Sequence, residues 1–573
     1  MRWLSPSALL RTGVMATLAH TFGQYADRRE MQQGQLFEQS YFQHSGDGDF
    51  WFDYVSDIGD GFNATYSVAS LLAGDVALPD GGETLRRGQV LIMGGDQVYP
   101  YASTEAYERR TTRPYAAACP APDNADGQTD RPWLYAIPGN HDWYDGLTAF
   151  LRIFSQEGDI GDWRTRQKRS YFALRMPRQW WLLAIDIQLD TYIDEPQLEY
   201  FRQIAAHIEE GASIIVCTAV PSWYPASGSS MARLSHFLRC SLGAKAAQVR
   251  LMLSGDKHHY SRYQREGGAE PILVTAGMGG AYMSGTHRIQ ERISCPAGVF
   301  SPDVDDAADE EPDTYVREGE TWPSREDSCR EARHVLWRLP VRNWKLLFVL
   351  GGLYGLLATA ALTGAWLWVV ILLAITAAGC VGLTEAKPPG RWRRQRYGAG
   401  LAALQVLPAI AMVTAFARVV DHWALPLRVL AVGAAAAVGS VLASVLLAAW
   451  FLLVARRRVN ENELFAAQSI EDYKGFLRLR IRTDGSLVIY PVGIRRSVRR
   501  WREAPTPDGP RLVPAPDDPL RYELIEPAVT LSSWAAPEPA GFGATGSGAG
   551  MDSDTGDGVT GSAVTPDAQG GSS

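Results

Sequence analysis

Two hydrophobic patterns divide this chain of 573 residues. In the first half, short apolar runs stop at glycine or serine and are followed at once by Asp, Asn or His. Phe52–Val55 leads into Ser56-Asp57-Ile58-Gly59-Asp60, and Val90–Met93 into Gly94-Gly95-Asp96-Gln97-Val98-Tyr99. Leu134–Ile137 leads into Pro138-Gly139-Asn140-His141-Asp142, and Leu251–Leu253 into Ser254-Gly255-Asp256-Lys257-His258-His259. Continuous runs of this length, bounded by turn residues, predict strands buried on both faces. In the second half, residues 346–362, 365–383, 398–417 and 427–455 are almost wholly apolar. Each is near the roughly 20 residues that cross a ~30 Å hydrocarbon core, so four transmembrane helices are predicted, with Pro408 kinking the third. Beyond them Phe476–Arg482 alternates, Asp484-Gly485 turns and Leu487–Val492 returns, the pattern of a β-hairpin packed back on the first half. Its arginines are read as a solvated strand face, with lipid headgroup contact as the second reading.

Charge changes the picture mainly through its distribution. The formal net charge is −8, yet residues 303–327 hold eleven acids against Arg317 and Arg325, and the Gly/Ser-rich tail from 531 holds five acids and no base. The tail is read as disordered. Much of the remaining positive charge flanks the apolar runs, a distribution that indicates membrane topology and not nucleic acid. Arg330, Arg333, Arg338, Arg342 and Lys345 precede the first run. Lys387, Arg391, Arg393, Arg394 and Arg396 lie between the second and third, and Arg456-Arg457-Arg458 follows the fourth. The alternate loops carry only Arg418 and Arg428. Basic loops stay inside, so a multi-pass protein of the cell (inner) membrane is expected, its first half and both termini cytoplasmic. The N-terminus has no signal-peptide pattern, Leu9-Leu10 being followed at once by Arg11. Without an intramembrane charge pair the helices read as an anchor. Six scattered cysteines form no Cys-x-x-Cys, and Cys295 and Cys329 would pair only in an oxidising compartment.

The chemistry lies at the ends of the early runs. In an open α/β sheet, ligands bind outside the carboxyl ends of the strands. Four such ends bearing Asp, Asn or His describe a hard-cation site with mixed oxygen and nitrogen ligands, and a pair of metal ions there suits phosphoryl chemistry. Trp180-Trp181 reads as core, whereas Trp143 and Tyr144, directly after His141-Asp142, are expected on a pocket rim. The run Gly277-Met278-Gly279-Gly280 reads first as a tight turn and second as backbone closing against the centre.

In this order, and over roughly residues 50 to 290, the motifs resemble the calcineurin-like metallophosphoesterase superfamily, in its large membrane-bound bacterial form. Gly139-Asn140-His141-Asp142 is complete. Asp57-x-Gly59 replaces Asp-x-His, and Gly95-Asp96-x-x-Tyr99 replaces Gly-Asp-x-x-Asp; both variants resemble the purple acid phosphatase branch, where that tyrosine ligates iron. The resemblance implies an α/β fold, a four-layer αββα metallophosphoesterase sandwich followed by a four-helix transmembrane region and a small C-terminal β-containing segment. It implies that Asp96 bridges two metals, that Asp57 and His258 hold the first, and that Asn140 and Asp256 hold the second. Tyr99 and Asp60 are further candidate ligands. His141 would stand beside the phosphate as acid or charge stabiliser, with metal-activated hydroxide attacking phosphorus. Two positions depart from the pattern: Ala219 stands where the family has a lone histidine, and Asp256 replaces the first histidine of Gly-His-x-His. Both fall on the second metal, so its occupancy is left open, and the oxygen-rich set that remains favours Mg or Mn over Zn.

The expected cofactors are thus divalent or trivalent metal ions, Mn, Fe, Mg or Zn. The expected partners are a phosphorylated small molecule or lipid headgroup and the lipid bilayer, with no nucleic acid. The chain divides into an N-terminal segment (1–44), a metallophosphoesterase domain (45–300), an acidic insert and linker (301–343), four transmembrane helices (344–456), a hairpin segment (457–530) and the tail (531–573). The alternative function is a catalytically degenerate phosphoesterase serving as a membrane-bound ligand sensor or scaffold. Loop asymmetry supplies the first test: a reporter fused after Arg458 is expected to read cytoplasmic and one inserted at Thr363 external. The reverse pattern overturns the orientation.

Overall fold

The computed structural model describes residues 3–6, 9, 11–15, 41–79, 82–122, 130–187, 193–224, 228–268, 270–296, 300, 311–387, 390–504 and 509–533. The tail from residue 534 and the acids between 301 and 310 lie outside them. Two mixed sheets and a helical segment make up the rest.

The strand Phe50–Val55 shows why its run does not alternate. Phe50, Phe52 and Tyr54 enter one core cluster with Leu182, Leu251 and Val274 of the second sheet. Trp51 and Val55, on the opposite face, join a cluster with Tyr66, Val68 and Leu72 of the helix Phe62–Leu72. Both faces are dry, so every residue of the strand is buried. Parallel neighbours Val90–Met93 and Trp133–Ala136 follow on one side. In the second sheet Trp180–Ile185, Ser213–Thr218, Val249–Ser254 and Ile272–Ala276 run parallel, so their carboxyl ends open on one edge.

On its other edge Phe50–Val55 pairs antiparallel with Lys474–Ile481, which pairs in turn with Leu487–Ile494. The hairpin is therefore part of the first sheet, hydrogen-bonded into it, and the apolar helices are an insertion between strands. This corrects the solvated-face reading of its arginines. Arg478 is fully buried, with Nε 2.8 Å from Asp53 Oδ1 and Nη2 3.1 Å from Oδ2, and its Nη1 donates to Gly74 O at 3.0 Å and Leu85 O at 3.1 Å. Arg480 pairs with Asp49 and Glu83. An arginine one sheet-face away from Leu477 and Leu479 looks solvated in sequence only because its partner is hundreds of residues away.

The acidic stretch also carries a strand. Asp313–Trp322 pairs with Tyr260–Arg265 and Arg292–Cys295, and its acids meet Arg265 and Arg262. Four helices are long and apolar enough to cross a membrane, Trp344–Leu362, Trp366–Leu383, Arg391–Val420 and Leu425–Arg457. The last two are longer than their apolar runs, since helix propensity carries on through flanking arginines once the segment is nucleated. The first and last meet through small residues: a Cβ on Gly439 would lie 2.3 Å from the Tyr354 ring, so only glycine lets the two axes approach this closely.

Replacing Arg478 with Met strands the Asp53 carboxylate in the interior. Unfolding by denaturant is expected to show a loss of about 3–5 kcal/mol, the cost of breaking a buried pair from one side. The double change with Asp53→Leu is expected to recover most of it, and no recovery would show that the pair is not the source.

Candidate metal centre

Four of the strand-end residues are lifted out of their strands by an unusual backbone turn. Asp57, Asp96, Asp256 and His258 have φ of 60°, 51°, 65° and 45°, in the left-handed region that non-glycine residues seldom enter. The turns brace one another. Asp57 N donates to Gly95 O and Ile58 N to Asp96 O, each at 3.0 Å, and Asp256 N donates to Asp57 Oδ2 at 2.8 Å.

The result is a convergence on one phenol. Tyr99 Oη lies 2.7 Å from Asp57 Oδ1, 3.1 Å from Asp96 Oδ2 and 2.9 Å from His258 Nε2. Asp57 and Asp96 are buried to 0% and 2% exposure, and His258 to 7%. Among the described residues no three His, Cys, Asp or Glu side chains gather closely enough to enclose an ion by themselves. The distances to Tyr99 are hydrogen-bond lengths, and His258 Nε2 lies 3.4 Å from Asp57 Oδ1, so the four groups form a hydrogen-bonded cluster whose oxygens and imidazole could also serve as ligands. Electrostatics point the same way. Burial first, then the charges of Asp57, Asp142 and Asp256, push the Asp96 carboxyl well above its ordinary value. Burial and the two nearest carboxylates push the Tyr99 phenol up as well. A cation among them reverses that penalty.

The remaining candidates are placed less uniformly. Asn140 turns its Nδ2 to Tyr144 Oη at 3.3 Å, and its buried Oδ1 has no hydrogen-bond partner among the described residues, as a ligand oxygen awaiting a cation would. Asp60 lies apart from the Tyr99 cluster in its bonding: its Oδ2 accepts from Trp3 Nε1 at 3.0 Å and from Tyr282 N at 3.1 Å. Asp256 pairs with Lys257; burial pushes its carboxyl up, but the charge and hydrogen bond of Lys257, with the charges of His258 and Lys387, together hold it below its usual range. Ala219 lies against the Gly95–Asp96 turn, its methyl 2.7 Å from where a Cβ on residue 95 would stand.

His141 is tied to the same turn through its backbone, N donating to Asp96 Oδ1 at 2.9 Å. Its Nδ1 lies 2.8 Å from Pro100 O, which can only accept, so Nδ1 carries the hydrogen. Burial pulls the ring down to about 4, so it is neutral around pH 7.

Several supporting groups carry little sequence signal. Asp142 is fully buried and accepts from Gly139 N at 2.8 Å, from Gln97 N at 3.3 Å and from Tyr107 Oη, locking the Asp96 and Asn140 loops together. Trp3 packs edge-on against Tyr99, His141 and Tyr282. Tyr144 stands beside His141 as expected, whereas Trp143 is buried with Nε1 on Asp186, off any rim. The glycine run does close on the centre: Gly279 N donates to Ser56 O at 2.9 Å, and a Cβ on Gly277 would lie 2.5 Å from Asp57 Oδ2.

No family profile and no curated protein matches the chain. The solved structures that it is similar to over part of its length include the following two. GAP50, the anchor in the inner membrane complex of Plasmodium, is 15% identical over 41% of this chain and 74% of that chain, with a TM-score of 0.30. A dimetal phosphatase from Danio rerio is 12% identical over 43% of this chain and 94% of that chain, with a TM-score of 0.24. At these values the likeness assigns neither chemistry nor family.

Asp142→Ala leaves two buried N–H groups and a phenol without their acceptor. At about 1–3 kcal/mol each, a loss of at least 3 kcal/mol is expected in chemical unfolding. Asp142→Asn, which keeps an acceptor for Gly139 N, is expected to cost less than half as much. Equal losses would show that the carboxyl does not brace the two loops.

Proposed function

We propose that the chain is a membrane-anchored, metal-dependent phosphoesterase acting on phosphomonoesters or diesters. In this reading residues 45–300, completed by the hairpin segment, form the αββα metallophosphoesterase sandwich. The observation that carries it is the convergence of Asp57, Asp96 and His258 on Tyr99. Asp57, Asp96, His258 and Tyr99 would hold one metal, and Asn140, Asp96 and Asp256 a second. Metal bound there supplies positive charge for the phosphoryl oxygens and lowers the pKa of a bound water. The protein's own work is positional. The Asp142 bonds keep Asn140 and His141 in register with Asp96. The Pro100 bond fixes the His141 ring, leaving Nε2 with its lone pair until an anion beside it favours the imidazolium. A protonated Nε2 then donates to the leaving oxygen or stabilises charge on the phosphoryl group.

Two observations favour the second reading, a degenerate member that binds a phosphorylated ligand. A methyl stands at 219, and the Asp256 carboxylate is engaged by Lys257.

Metal content and a hydrolysis screen with Mn, Mg, Fe and Zn separate the two. Asp96→Asn is expected to strip metal and activity together. His141→Ala is expected to keep metal and to cut turnover by roughly a hundredfold or more. Loss of metal in His141→Ala with retention in Asp96→Asn would invert these roles. A protein that binds no metal, or hydrolyses none of the esters, sinks the enzyme reading.

A further inference from the structure

A cavity of about 200 Å³ lies beside the candidate centre, where the loop after Ile272–Ala276 meets the ends of the apolar helices. Lys257, Arg288, Lys387 and Arg458 line it with Glu461; Lys257 is paired with Asp256 and Lys387 stands 4.0 Å from Glu385, which leaves Arg288 and Arg458 against the one lining carboxylate. Lys257 and Arg288 come from the sheet unit, while Lys387 follows the second apolar helix, and Arg458 and Glu461 follow the fourth. Backbone bonds fasten the two membrane-side cations together: Lys387 N donates to Arg458 O at 3.0 Å, and Ala386 bridges Val459. The charges share one field, because Lys387, Arg288 and Arg458 all act on the half-buried Glu461, with Glu385 acting in the opposite sense. Lys387 also acts on Asp256. Phe465 supplies an apolar wall, close enough to the loop that a Cβ on Gly285 would lie 2.3 Å from its ring. The link to the candidate centre runs through Lys257, which lines the cavity and bonds the Asp256 carboxylate.

We propose that this cavity is a binding site for a phosphate-ester anion, the chemistry shared by an anionic lipid headgroup and a free phosphorylated small molecule. Three considerations carry it. Arg288 and Arg458 outnumber the one lining carboxylate, and their guanidinium groups suit the geometry of an anion with several acceptor oxygens. Two of the cations stand where helices of membrane-crossing length end, the depth at which headgroups lie. The apolar wall on the helix side matches the first carbons of an amphiphile's acyl chains and gives nothing to a bare inorganic ion. The further step, delivery of that ester to the Asp96 centre, rests on the phosphoesterase reading; the binding itself does not.

The test uses the full chain in nanodiscs. Native mass spectrometry reads retention of phosphatidic acid against phosphatidylcholine, and titration calorimetry reads glycerol 1-phosphate and inorganic phosphate. Retention of phosphatidic acid over phosphatidylcholine supports the site with lipid as source. Binding of glycerol 1-phosphate without lipid retention supports it with a soluble source. In either case Arg288→Gln with Arg458→Gln is expected to weaken binding at least about tenfold, and the paired Lys replacements to weaken it less. If the Gln pair lacks a cooperative melting transition, Lys387→Gln is expected to show a smaller loss in a folded protein. Binding of no phosphate ester, or unchanged binding in the charge-removed variants, overturns the proposal. Asp96→Asn separates the two ideas. Binding that persists there while wild type hydrolyses nothing leaves the cavity standing and the enzyme reading fallen. Hydrolysis by wild type with no ester held in the cavity of Asp96→Asn does the reverse.

Discussion

The pairing of Phe50–Val55 with Lys474–Ile481 is the constraint on which the candidate centre depends. The first of these strands ends at Asp57, so its position and twist set where that carboxylate stands. One edge is held by Val90–Met93, and the other only by a strand that arrives after all four apolar helices. Bringing together residues 425 apart, as Arg478 and Asp53 are, costs about 5 kcal/mol of loop closure for a flexible chain, and less when the intervening segment is itself folded. Against this, burial of Phe476, Leu477, Leu479 and Ile481 contributes roughly 1.5–3 kcal/mol each. The apolar side chains therefore decide that the strand joins the sheet. The Arg478–Asp53 pair decides the register, because a slip of one residue would leave both charges buried without partners.

That rigidity sustains strain at the strand ends. Left-handed backbone at a non-glycine residue costs of order 1–3 kcal/mol, and Asp57, Asp96, Asp256 and His258 all adopt it. It persists because each turn is tied to another strand's turn. Asp57 O accepts from Ala281 N at 2.7 Å, and His258 O accepts from Ser284 N at 3.1 Å. Relaxing one turn would break bonds in two others. The gain is that polar side chains which would point along the sheet face are swung together at its edge.

What could be read from the chain, and what could not, follows from the range of each interaction. Strands at the ends of which Asp57, Asp96, Asn140 and His258 sit were legible because the signal is local, an apolar run and then turn residues. The apolar helices were legible for the same reason, though their ends were not, since Arg391–Tyr397 is helical without being apolar. Arg478 was misread because alternation reports the face of a strand and not what covers that face. The strand Asp313–Trp322 was hidden by its charge, which is met by Arg262 and Arg265 from a neighbouring strand. Trp3 against the Tyr99 cluster and the bracing role of Asp142 had no signature beyond composition. Asp60 shows the converse: spacing put it near Asp57, while its side chain turned to Trp3 and Tyr282.

The inserted position of the helical segment also fixes how it can communicate with the sheets. A terminal anchor on a linker would leave the two parts free to reorient. Here the chain leaves from Asp313–Trp322 and returns to Lys474–Ile481, strands of the two different sheets. The return path is bonded at several points on the way. Asn343 Nδ2 donates to Ala467 O at 2.7 Å, Asn460 Nδ2 to Leu383 O at 2.8 Å and Met283 N to Ile470 O at 3.2 Å. The last of these ties the returning segment to the loop that carries Tyr282, whose ring stacks edge-on against His258 at 4.5 Å. The helix ends and the surroundings of His258 are thus joined by a short path of hydrogen bonds and ring contacts, which a terminal anchor on a linker would not supply.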